Sequence, residues 1–424
     1  MANGLARKEY LMSVTIIGAL FFIFGFVTWL NATLIPYLKI SCGLTSNLQA
    51  NLVAFAFYIS YFFMALPSSL ILRRVGFKNG MSLGLLVMAL GALVFIPAAM
   101  TRNFGLFLAG LFIQGTGLAV LQTASNPYVT IVGPLESAAR RISIMGICNK
   151  VAGIISPLVL GFVVLRDIDG IAARLSTLSA AAREAELAAL ASRVILPYAI
   201  MALVLLALAL AIRFSPLPEA EEGRGDEAGG EERQSVFQFP YLLLGVLAIF
   251  LYVGAEVIAL DTQILYGRWL GFELSQAKFF SSITLGAMVV GYIAGIAAIP
   301  RFLRQERALQ YFSLLGLVFS LLAVFTGGFT SVLFIALLGF ANSIMWPAIW
   351  PLAIEGLGRY TKTASALLIM GILGGALLPL VYGYLADRYG NQQAYWILVP
   401  CYLYIHYYAS KGHRIGKRLT KKED

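Results

Sequence analysis

The stretch LQTASNPYVTIVGPLESAARRISIMGICNKVAGIISP (residues 121–157) decides what kind of protein this is. Two apolar runs flank a short basic turn, and inside those runs stand Gln122, Asn126, Asn149 and Lys150. A lysine at the centre of a lipid-embedded helix costs roughly 2.5–3.5 kcal/mol on insertion scales, so it is tolerated where it faces a polar cavity or a partner. If these runs cross a membrane, Lys150 is a candidate functional residue by default.

The composition says that they do. Of 424 residues 59% are apolar and only 12% charged, with a mean hydropathy of +0.82, far from an ordinary soluble domain. Taking about 20 apolar residues per crossing, the chain is an all-α membrane protein of twelve spans. They begin near Leu11, Asn51, Met81, Leu106, Ile142 and Val194, then near Phe239, Ala277, Ala308, Ser331, Ala364 and Ala394. The net charge of +10 does not point to nucleic acid, because the basic residues form short clusters between apolar runs with no basic, aromatic-interleaved face. It reads as topology. Arg73, Arg74 and Lys78, Arg140 and Arg141, Arg301, Arg304 and Arg307, and the tail from Lys411 fall on one side, against sparser charges such as Lys39, Arg102 and Arg268 on the other. That bias places both termini in the cytoplasm, and the expected location is a bacterial inner membrane. The apolar run from Leu11 is long enough to span and lacks a small-residue cleavage pattern, so no leader is expected to be removed. Cys42, Cys148 and Cys401 are widely spaced without neighbouring histidines, which supports neither a disulfide framework nor a metal site.

Residues 215–238 (SPLPEAEEGRGDEAGGEERQSVFQ) are polar, Gly-rich and acidic, the composition of a flexible linker. They divide the chain into an N-terminal six-helix half (1–214) and a C-terminal half (239–410), with a basic cytoplasmic tail at 411–424. A second long loop, residues 166–193, carries Leu175, Leu178, Leu187 and Leu190 among alanines and charges and predicts one short amphipathic helix on the outer surface. The halves echo each other: IMGICNKVAGIISPLVLGFVV (144–164) and IMGILGGALLPLVYGYLA (369–386) both run from IMGI to PLV-x-G. Two six-helix halves related by a pseudo-two-fold repeat, with a site between them near the midplane, is a transporter architecture.

Several longer motifs then carry a family resemblance. FGFVTWLNATLIPYLK (24–39), FAFYISYFFMALPSSLILRRVGFKNG (55–80), LQTASNPYVTIVGP (121–134), FLYVGAEV (250–257) and GFANSIMWPAIWPLAIEGLG (339–358) stand in order along nearly the whole chain. The chain resembles the fucose, glucose and galactose cation symporters of the major facilitator superfamily. The resemblance implies the major facilitator fold and alternating-access transport of a hexose or close relative. Two departures stand out. Where the proton-coupled fucose branch has an Asp after the Leu-Asn pair, this chain has Ala32; where that branch has a Glu before Thr-Ala-x-Asn-Pro, it has Gln122, as in the glucose and galactose branch.

The residues themselves point to the same chemistry. Gln122 and Asn126 are four apart, hence on one helix face, and amides match sugar hydroxyls by offering donors and acceptors together; helix-to-helix hydrogen bonding is the alternative. Asn149, Asn342 and Trp346 join them as substrate candidates, Trp346 as an apolar platform with one donor. By a rise of 1.5 Å per residue, Lys150 lies about 12 Å and Gln122 about 15 Å from the cytoplasmic ends of their spans, with Asn342 and Trp346 at about 18 and 12 Å, one layer near mid-depth. Glu256 comes out higher, at about 20–25 Å, so a bridge from Lys150 requires the lysine stem to reach up through the cavity. Lys150 paired with Glu256 or Asp261 is expected to be a switchable charge pair, a static tether being the alternative. Asn31 completes the coupling candidates, and Asn31, Gln122 and Asp261 could supply oxygen ligands to sodium. The charges of RRVGFKNG are expected to latch the cytoplasmic side or to be simple surface basicity.

The expected function is secondary transport of a hexose or amino-hexose, coupled to sodium or a proton, by a monomer in a lipid bilayer with no other cofactor. A facilitative uniporter is the close alternative, motivated by the two absent carboxylates. A drug-proton antiporter is disfavoured, since GIISPLVLG (153–161) matches only part of the antiporter glycine-proline pattern, and a non-transporting sugar sensor stays open. An enzyme is not indicated: His406 and His413 are the only histidines, with no nucleophile set, metal cluster or phosphate loop beside them.

Overall fold

The computed structural model describes residues 7–131, 138–175, 177–215, 235–299, 302–357 and 360–417. Regular structure among them is helical, the outcome that hydrocarbon enforces by leaving backbone N–H and C=O groups no partner but each other. Most of the linker, residues 216–234, and the tail from residue 418 lie outside the described residues.

The first half runs α1 (Arg7–Thr28), α2 (Asn31–Ser41), α3 (Asn47–Thr101), α4 (Phe104–Ile131), α5 (Ala138–Val164), α6 (Ile168–Leu175), α7 (Ala180–Ser192) and α8 (Ile195–Phe214). The second runs α9 (Pro240–Asp261), α10 (Gln263–Trp269), α11 (Leu274–Ala277), α12 (Phe280–Ala298), α13 (Gln305–Phe325), α14 (Gly328–Asn342), α15 (Met345–Ile354), α16 (Thr361–Met370), α17 (Gly374–Tyr389), α18 (Asn391–Ala394) and α19 (Leu398–Ser410). The long α3 is two crossings, 47–72 and 74–101. They are folded at Gly76, whose φ of 78° and ψ of 172° belong to a region a side chain would make costly. Among the described residues eleven helical runs are long and apolar enough to span. The twelfth crossing is α18, a 3-10 turn at Tyr395–Ile397 and α19, a run interrupted near its start and rich in tyrosine.

Several crossings are discontinuous. The first breaks at Trp29–Leu30, the seventh at Thr262 and the tenth at Ser343–Ile344; the eleventh passes through a 3-10 turn at Gly371–Leu373. The opening crossing of each half is therefore a broken helix, the device by which transporters present free helix ends at mid-depth.

The loop at 166–193 is two helices rather than the single one expected. Ser179 caps the second by accepting from the Ala182 N–H, and a capping serine starts a helix afresh. Leu187 and Leu190 of α7 are buried, and the Tyr37 hydroxyl of α2 lies 2.9 and 2.8 Å from the carbonyls of Leu190 and Ala191. The segment is thereby fixed to the first half.

The halves meet along α3 with α17 and along α5 with α12. At the end of the bundle remote from the termini, carboxylates of each half receive N–H groups of the other. Asp387, at the end of α17, accepts from Asn47 N at 2.7 Å and Leu48 N at 2.9 Å, the first turn of α3. Asp169 of α6 accepts from Leu274 N and Ser275 N, both at 3.1 Å, and from Arg268 at 2.9 Å. At the terminal end, the charged turn after the second crossing binds within its own half: Lys78 donates to the Ser215 carbonyl and Arg213 to Asn79 Oδ1, both at 2.6 Å.

Candidate substrate and coupling site

The site begins where α1 crosses α5. A Cβ at Gly25 would stand 1.8 Å from the Asn149 carbonyl oxygen, and one at Gly153 would stand 2.3 Å from the Trp29 ring. These two glycines let the helices touch and seat Trp29 on α5. Its indole N–H donates to Asn149 Oδ1 at 3.4 Å, and the Asn149 amide donates to the Phe21 carbonyl at 3.4 Å. Lys150 Nζ lies 4.3 Å from the centre of the Trp29 ring, a cation over an aromatic face.

From the other half, α9 brings Glu256. Lys150 Nζ donates to Glu256 Oε1 at 2.8 Å, with the lysine 7% and the glutamate 6% exposed. The pair is direct, and the apparent gap in depth has a simple origin. α5 starts at Ala138 rather than Ile142, which raises Lys150 to about 18 Å along its helix, against about 24 Å for Glu256 from Pro240. An extended lysine stem covers the remainder. The hydroxyls of Tyr58, Tyr252, Tyr292 and Tyr402 lie close enough to Glu256 to feel its charge. Asn342 joins through one of them: its Oδ1 accepts from the Tyr402 hydroxyl at 3.0 Å, while its amide nitrogen has no partner.

Buried Lys150, Glu256 and Asn342, with half-buried Asn149 beside them, thus belong to one polar cluster spanning both halves. Gln122 and Trp346 stand apart from its hydrogen bonds. Gln122 is half-buried on α4, and Trp346 stacks on Trp350 with centroids 5.2 Å apart. Asn126 is in α4, its side chain outside the described residues. Asn31 and Asp261 flank the two broken helices, each fully buried with both side-chain polar atoms unpartnered. Sequence reasoning missed Trp29 and the four tyrosines, whose aromatic rings within apolar runs look like packing. The one available signal was Tyr252 standing four residues before Glu256 on the same helix face. Among the described residues no group of three His, Cys, Asp or Glu side chains could hold a metal ion.

The sequence pattern of the Major Facilitator Superfamily matches residues 17–376. The chain belongs to the Major Facilitator Superfamily. Within it, the chain is 34% identical over 414 residues to a glucose/galactose transporter of Brucella abortus, covering 96% of both proteins. It is 30% identical over 391 residues to the L-fucose-proton symporter of Escherichia coli, covering 91% of this chain and 89% of that one. The crystal structure of the facilitator FucP in its outward conformation superposes with a TM-score of 0.71 at 29% identity, over 97% of this chain and 100% of that one. A D-xylose-proton symporter, at 15% identity and TM-score 0.70, shares the fold. The fold and the relatives are those of transporters, not enzymes.

Proposed function

We propose that this facilitator carries a hexose or amino-hexose across a bacterial inner membrane by alternating access, driven by a cation gradient. Its similarity over 96% of its length to a glucose/galactose transporter carries the reading. In this reading both termini are cytoplasmic, so the end of the bundle joined by Asp169 and Asp387 is the outer one. Residues 1–214 rock against 239–410, with 215–238 as the tether, and the sugar sits at mid-depth between Gln122, Asn126 and Asn149 of one half and Asn342 and Trp346 of the other. The Lys150–Glu256 pair, lying across the halves, is suited to make and break as they move.

A proton is the favoured coupling ion, because relatives include an L-fucose-proton symporter. Uniport is the second reading, motivated by Ala32 and Gln122 standing where the fucose branch keeps carboxylates. Uptake into proteoliposomes under separately imposed proton and sodium gradients decides between them. Acceleration by an inward proton gradient is expected, and indifference to both gradients overturns symport.

Gln122 provides a clean test of the sugar site, since it makes no hydrogen bond to another described residue that its removal would break. Gln122→Ala is expected to weaken sugar binding by about tenfold or more, the value of one or two neutral hydrogen bonds, with an unchanged melting temperature. Calorimetric titration of the purified protein measures the first and a thermal ramp the second.

A further inference from the structure

Asp261 is the most anomalous residue in the molecule. Its exposure is 0% and neither carboxylate oxygen has a hydrogen-bond partner. It is the last residue of α9, where the chain breaks before α10, and a helix C-terminus carries the negative end of the dipole, the wrong environment for an anion. Glu256, five residues earlier, lies within reach of its charge but already holds Lys150 at 2.8 Å. An unpaired carboxylate removed from water costs several kcal/mol, far more than a cluster this size recovers elsewhere. Among the described residues no hydrogen-bond donor or cation partners the group, so burial favours its proton-bound form.

Two more unpartnered groups come from the first half. Asn31 opens α2, which packs on both α9 and α10, and its amide oxygen and nitrogen are both orphaned at 1% exposure. The Tyr58 hydroxyl of α3 is also orphaned and stands near both Glu256 and Asp261. Gly375 leaves room for it, since a Cβ there would lie 3.2 Å from the Tyr58 ring. The broken first crossing of one half thus packs on the broken first crossing of the other, and a dry, unpartnered carboxylate stands five residues along α9 from Glu256 of the interhalf pair.

We propose that Asp261 is the group that carries the coupling proton. The assignment rests on the symport reading above and places the proton on α9, away from the helix 1 and helix 4 positions that Ala32 and Gln122 leave without carboxylates. In the outward state Asp261 takes a proton from outer water, forming one O–H bond. The neutral acid is the form that a dry site without hydrogen-bond partners admits. On the inner side the O–H bond breaks and the proton leaves to water; no electrons change hands. The titratable groups that feel its charge are Glu256 on its own helix, held by Lys150 of α5, and Tyr58 of α3. Releasing the proton sets a second negative charge within reach of Glu256, and that repulsion links deprotonation to rearrangement of the interhalf pair.

The test compares wild type, Asp261→Asn and Asp261→Glu in proteoliposomes. Asp261→Asn, a permanent mimic of the neutral acid, is expected to retain sugar counterflow and to lose accumulation driven by a proton gradient. Asp261→Glu is expected to recover gradient-driven accumulation in part. An infrared difference spectrum on shifting pH should show a protonated carboxyl band in wild type that is absent from Asp261→Asn, a readout independent of transport. Proton-driven accumulation surviving in Asp261→Asn, or an unchanged carboxyl band, overturns the assignment while leaving symport intact. A wild type that accumulates sugar on sodium alone overturns the proton as the cargo of this site. A wild type that moves sugar without response to either ion removes the coupling reading itself, and one that moves no sugar removes the functional reading.

Discussion

Glu256→Gln is expected to destabilise the folded protein by about 3–5 kcal/mol, because it strands Lys150 as an uncompensated buried cation. Lys150→Met should cost less, since the tyrosines around Glu256 can share its charge by hydrogen bonding. The double variant Lys150→Met/Glu256→Leu is expected to recover most of the loss, apolar pairs of similar volume often matching or exceeding a buried ion pair in stability. A double-mutant cycle closed with Glu256→Leu alone, followed by unfolding in detergent, should give a coupling energy of about 3 kcal/mol or more between the two sites. Transport separates the two roles the pair could have. As a static tether, the pair is replaceable by apolar contact and the double variant transports normally. As a switch, it is not, and a well-folded double variant loses ion-dependent uptake. The second result is expected, and uptake with unchanged ion dependence in the folded double variant refutes the switch.

This pair also marks how far the sequence could be read. The crossings were legible from hydropathy, because a span is a local property of about 20 residues. Lys150 declares itself for the same reason, its cost being set by depth alone. The choice of partner between Glu256 and Asp261 stayed open, because pairing depends on where two helices begin. A shift of one turn at the start of α5, from Ile142 to Ala138, raises Lys150 by about 6 Å and turns a remote bridge into a direct contact. The helix breaks were equally hidden. Asn31, Asp261 and Asn342 were legible as polar residues in apolar runs, but only packing shows that each stands at a discontinuity. The IMGI repeat, by contrast, carried more than it seemed to. Aligning the two copies sets Asn149 opposite Gly374, and both mark the tightest backbone approach in their half: Gly25 to the Asn149 carbonyl, and Gly374 to the Phe250 carbonyl at 1.7 Å from a hypothetical Cβ. The repeat preserves a close crossing of equivalent helices, while one copy alone keeps the charge, since Lys150 is opposite Gly375.

Asp169→Asn/Asp387→Asn is expected to shift the resting population toward the outward-open state. Each carboxylate crosses from its own half to the first N–H groups of a helix in the other: Asp387 to Asn47 and Leu48, Asp169 to Leu274 and Ser275 with Arg268 added. Charge at a helix N-terminus is worth about 0.3–1 kcal/mol when exposed, and the exposed ion pair to Arg268 adds at most about 1 kcal/mol. Together they bias the closed outer end by roughly 1–3 kcal/mol, a factor of about 5–150 in the equilibrium between states. Neither substitution touches the buried cluster, so sugar affinity at the site should change only through that equilibrium. Spin labels placed on α2 and α10 should report longer distances in the double variant, and the accessible fraction of a thiol engineered at Leu265 should rise. Single variants are expected to give partial, roughly additive shifts, because the two contacts share no residue. An unchanged distance distribution would show that the outer end is held shut by the apolar packing of α3 on α17 and of α5 on α12 alone, with the carboxylates serving only to cap their helices.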